Sequence, residues 1–143
     1  SGVVMQLTYR GGYKYQLVED FIYKLPEYFI RPGKEIETDW IWLGQDRTMI
    51  LKKGYASDGP SGPTFDTKNF MRGAFIHDGL YGLMREGHLD KNTYRPLADR
   101  ILYDMIRQDG MSRLRAGYVY WGVRLGANPE ARYGTEKPAL TAP

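Results

Sequence analysis

An α+β fold, with N-terminal antiparallel β-hairpins followed by three α-helices packed on the sheet, is predicted by three observations. Apolar runs of strand character fill residues 3–53, apolar residues recur at helical spacing over 68–126, and a glycine- and proline-rich stretch at 54–67 divides the two. Strands first and helices after them place the helices on one face of an antiparallel sheet. A chain of 143 residues is the size of one domain, here 1–128, with 129–143 an extended or disordered tail.

The elements follow in order. "VVMQLTYR", Gly11-Gly12 and "YKYQLVEDFIYKL" read as a hairpin, because a turn dipeptide separates two runs rich in Val, Tyr, Leu and Ile. "TDWIWLGQDRTMILKKG" repeats the logic around the polar turn Gly44-Gln45-Asp46-Arg47. Between them Pro26 and Pro32-Gly33 mark an irregular connection, so three or four strands are expected. "YASDGPSGPTFD" is a loop longer than a compact domain needs for connection alone.

The first helix is expected over Lys68 to Arg85, with Phe70, Ala74, His77, Tyr81 and Met84 on one stripe and Gly87 ending it. A second begins at a cap near Asn92 or Thr93, carries Pro96 in its first turn, buries Leu97, Ile101 and Met105, and stops at Gly110. The third starts after Ser112, takes Leu114, Tyr118, Trp121 and Leu125 as its apolar stripe, and closes at Gly126.

Composition narrows the function. Lys+Arg 20 against Asp+Glu 17 leaves a net charge of +3 with no basic cluster, so no nucleic-acid partner is expected. Cysteine is absent, which removes disulfides, a thiol nucleophile and thiolate metal sites. No segment reaches the roughly 20 apolar residues of a transmembrane span, and no signal-peptide layout opens the chain. Serine catalysis has no support, because Ser57 and Ser61 lack a nucleophile-elbow context.

One of only two histidines, His77, stands on the apolar stripe beside Asp78. A lone imidazole is an imprecise base unless a second group fixes its tautomer and stabilises the charge it gains. Asp78, a third of a helical turn away, is badly placed for that. Asp99, on the second helix beside Leu102 and Ile106, would face His77 if the two helices pack antiparallel. Asp78 is then turned toward the preceding loop, where bent backbone offers oxygens to a hard cation such as calcium.

"HDGLY" resembles the His-Asp-x-x-Tyr motif of calcium-dependent secretory phospholipases of the A2 class, and "ADRILYD" resembles the Asp-Arg segment of their second long helix. That resemblance implies His77 as the residue activating water, Asp99 as its holder, Tyr81 as support for both, and Asp78 as a calcium ligand. "SDGPSGPTFD", with Asp58, Gly59 and Gly62, takes the place of the calcium loop. Over the whole chain, "DGPSGP", "HDGLY", "ADR" and "YWGVRLG" occur in the order typical of a phage and prophage family catalogued as domain of unknown function 1353. The resemblance implies a phage origin, in the virion or the host bacterial cytoplasm, without an assigned reaction.

Other roles compete with these. His77, Tyr81, Asp99 and Asp58 are also readable as a buried network that fixes packing, Asp58 as an Asx-turn with Gly59, and His88 as a surface residue. The aromatic series Tyr13, Tyr15, Phe21, Tyr23, Tyr28 and Phe29 suits cross-strand packing or a sugar or membrane surface. Three functions follow: a metal-assisted ester or phospholipid hydrolase, a virion tail or assembly protein with virion partners, and a binder of a host factor in takeover or anti-defence.

Overall fold

The structure, a computed structural model, describes residues 6–10, 15–57 and 67–126. It is α+β, with antiparallel strands preceding three helices. The turn Gly11-Gly12, Tyr13, the loop residues Asp58, Gly59, Ser61 and Gly62, and the tail 129–143 lie outside the described residues.

The strands number more than the hairpin pattern suggests and fall into two sheets. β1 (Tyr9–Arg10), β2 (Tyr15–Leu17) and β7 (Ala56–Ser57) form the first, in the order β1-β2-β7. β3 (Phe21–Lys24), β4 (Ile36–Glu37), β5 (Ile41–Leu43) and β6 (Thr48–Leu51) form the second, in the order β3-β6-β5-β4. The run expected as one strand of the first hairpin is therefore broken at Val18–Asp20. There Leu17 N–H donates to Tyr55 O at 2.9 Å, and Asp20 Oδ1 accepts from Lys53 N–H at 2.7 Å. The Asp20 bond ties the bend to the connection between β6 and β7, while the Leu17 bond extends the β2–β7 pairing by one residue.

The second hairpin matches its expected turn. Gly44 N–H donates to Thr48 O at 2.9 Å, and Arg47 takes φ 73°, the left-handed turn conformation. Register pairs Tyr23 with Met49 and Leu43 with Met49, so alternate residues Phe21, Tyr23, Ile41, Leu43, Met49 and Leu51 face inward and are buried.

α1 (Lys68–Arg85) lies on this inner face. It approaches closely at Gly79, where a Cβ would stand 2.8 Å from Met49 Cε and 2.9 Å from Leu51 Cδ2. α1 ends as expected: Gly87, at φ +83°, donates to Met84 O and His88 N–H to Leu83 O, a Schellman closure. α2 (Lys91–Gln108) starts earlier than expected, capped by Asp90, whose carboxylate accepts from Thr93 N–H at 2.9 Å. Pro96 consequently sits in the second turn, and the buried face is Tyr94, Ala98, Asp99, Ile101, Leu102, Met105 and Ile106, with Leu97 only partly covered. α2 runs antiparallel to α1, with Leu102 and Ile106 methyls against Gly73.

α3 (Arg113–Leu125), capped by Ser112, packs on α2. Its inward residues are Ala116 and Val119, whereas Leu114, Tyr118, Trp121 and Leu125 are exposed. The expected apolar stripe is thus the outer one, because the small face of the helix is what fits closely against α2.

Candidate functional site

Antiparallel packing of α1 on α2 brings His77, Tyr81 and Asp99 together. His77 and Tyr81 are four residues apart on one helical face, with ring centroids 4.1 Å apart. Asp99 reaches both from α2: its Oδ1 lies 2.7 Å from His77 Nε2 and accepts from the Tyr81 hydroxyl at 2.6 Å. The second oxygen, Oδ2, accepts from Arg124 Nη1 of α3 at 2.8 Å. One carboxylate therefore joins all three helices.

Asp99 has 0% of its surface exposed, and His77 7%. Burial opposes the charge on Asp99, but the hydrogen bonds from His77 and the Tyr81 hydroxyl and the charge of Arg124 outweigh it and hold the carboxyl below its ordinary range. Burial, then the charge and hydrogen bond of Asp99, push the Tyr81 phenol up, so it stays a protonated donor. An ionised carboxylate only accepts, which assigns the proton on Nε2 of His77 and leaves the lone pair of the neutral ring on Nδ1.

Arg95 extends the network. Its Nε donates to the Tyr81 oxygen at 3.3 Å, and its Nη2 donates to Val123 O at 3.0 Å and Gly126 O at 2.9 Å. The last carbonyls of a helix have no partner within it, and Arg95 supplies one for α3.

Neither arginine has a motif to announce it. The available signal for Arg124 was indirect: α3 carries three arginines and no acid, so a cation on its inner side had to pair with another helix.

Asp78 points away from this cluster, as its position one residue on requires. It is half-buried and accepts a hydrogen bond from the hydroxyl of Tyr55, which lies just before β7 and the segment 58–66. The other expected cation ligands, Asp58, Gly59 and Gly62, fall in that segment, outside the described residues. Among the described residues, no three His, Cys, Asp or Glu side chains gather as a metal-holding group. His88 is exposed and separate, with Nε2 3.7 Å from Glu86 Oε1. No described helix is long and apolar enough to cross a membrane. The chain matches no protein-family model, no curated protein and no solved structure.

Proposed function

We propose that the chain hydrolyses an ester, a phospholipid in the first place, with His77 as the base that activates water. The observation that carries this reading is the 2.7 Å pairing of His77 Nε2 with Asp99, itself held by Tyr81 and Arg124. It leaves Nδ1 as a base with a fixed ring, one tautomer and a counter-charge behind it. His77 Nδ1 takes a proton from water as the oxygen adds to the ester carbonyl. The imidazolium, stabilised by Asp99, returns that proton to the departing alkoxide, so acid and alcohol leave and the base is restored.

Calcium is the cation that suits this reading, since Asp78 is a hard oxygen ligand beside the segment holding Asp58, Gly59 and Gly62. Bound there, it would supply positive charge for the developing oxyanion. The order of the four motifs supports a phage or prophage origin.

The test compares wild type, His77→Ala and His77→Gln on phospholipid vesicles and on a soluble short-chain ester, with calcium or chelator. Gln keeps a donor for Asp99 but no base. Turnover should fall by roughly 100-fold or more in both variants, while His77→Gln keeps its melting temperature. Absence of wild-type turnover on either substrate with calcium overturns the reading.

The burial of His77 and Asp99 favours a second reading, in which the network is scaffold in a virion component. Under it, no turnover is found and His77→Ala melts lower than wild type.

A further inference from the structure

α3 has two apolar faces, and only one packs against the other described elements. Ala116 and Val119 are buried against α2, whereas Leu114, Trp121 and Leu125 are 88, 59 and 81% exposed. With Tyr118 between them they follow a spacing of i, i+4, i+7 and i+11, which makes one ridge about 17 Å long. Exposed in this way, the ridge adds nothing to the core formed by the described residues.

The charge on the helix indicates what meets the ridge. Its charged residues are Arg113, Arg115 and Arg124, with no acid. Arg113 and Arg115 stand in the first turn, where the helix dipole disfavours a cation, so their position is not explained by the stability of α3 itself. Arg113 lines the same face as Leu114, Trp121 and Leu125. Apolar side chains including Trp and Tyr, flanked by arginines, suit the boundary between acyl chains and phosphate headgroups.

We propose that α3 docks on an anionic phospholipid surface, with Leu114, Trp121 and Leu125 entering the acyl boundary and Arg113 and Arg115 meeting phosphates. A second copy fits less well. Pairing would set Arg113 and Arg115 of two helices against one another, and a strip roughly 17 Å by 10 Å falls well short of the roughly 800 Å² per partner of a stable interface. A lipid surface imposes no such minimum. The docking goes beyond the hydrolytic reading and does not need it, although Arg124 on Asp99 would hold the His77 network about one helix diameter, roughly 10 Å, from the surface.

The experiment is co-sedimentation of the full chain with vesicles of phosphatidylglycerol or of phosphatidylcholine. The protein should pellet with the first and stay in solution with the second, and about 0.5 M salt should weaken binding by screening. Leu114→Ser/Leu125→Ser should bind roughly tenfold more weakly or worse with unchanged melting temperature, since neither side chain packs in the core. Tryptophan emission should shift to the blue on phosphatidylglycerol in wild type and not in Trp121→Phe. Absence of pelleting at low salt overturns the proposal, as does equal pelleting by the double variant. A dimer that the double variant abolishes, with no vesicle binding, would assign the ridge to a second copy. Vesicle binding requires no turnover, so pelleting without hydrolysis counts against the hydrolase reading alone.

Discussion

Asp99 is a fully buried charge whose three side-chain partners come from two other helices. Removing one member of such a set leaves the others desolvated and underpaired. Asp99→Asn should therefore destabilise the chain by about 3 kcal/mol, read from the urea midpoint. Tyr81→Phe, which takes away one donor to the ionised carboxylate, should cost about 1.5 kcal/mol. The half of this site on α1 and α2 was legible in the sequence, since His77 and Tyr81 share a stripe and Asp99 lies on the inner edge of the next helix. The half on α3 was not. Periodicity shows which residues of α3 share a face but not which face turns inward, and here the large apolar one turns out, bringing Arg124 in.

At the scale of elements, each helix boundary rests on a local device that a single substitution removes. Asp90→Ala takes away the acceptor for Thr93 N–H and should cost about 1 kcal/mol, a fall in melting temperature of about 3 °C for a chain of this size. Gly87→Ala puts a Cβ on left-handed backbone at φ +83° with open space around it, so strain rather than contact should cost about 1 kcal/mol. Helix ends were readable because glycine, serine and aspartate act within a few residues of themselves. The cap at Asp90 was misplaced by two or three positions, since Asn92 and Thr93 are cap formers too and only the Thr93 N–H bond distinguishes them. Strand organisation was less legible for a related reason. β2 and β3 are separated only by Val18, Glu19 and Asp20, with no glycine or proline to mark a turn, and the bend there is held by a distant bond from Lys53. β4 and β7, at two residues each, are too short to show a period.

For the whole molecule, the carboxylate of Asp99 ties the two long helices to the third and makes their association depend on pH. Its carboxyl is lower in the folded chain than in the unfolded one, so the native state binds fewer protons and stability from this group is complete above the unfolded value of about 4. It is lost as pH falls through the depressed folded value. Asp109 runs the other way: burial raises its carboxyl against the pull of Arg72, so protonation as pH falls relieves a buried charge and offsets part of the loss. Comparison of variants separates the two. In urea unfolding followed from pH 7 toward pH 2, the stability gap between wild type and Asp99→Asn should narrow below about pH 4, while Asp109→Asn should keep the wild-type acid loss without its offset. Near-ultraviolet dichroism should report the release of α3 over the same interval, because Trp121 and Tyr120 pack edge to face on that helix and Tyr120 also meets Tyr103 of α2. A gap between wild type and Asp99→Asn that stays constant down to pH 2 would mean that Asp99 is not the charged centre joining the helices.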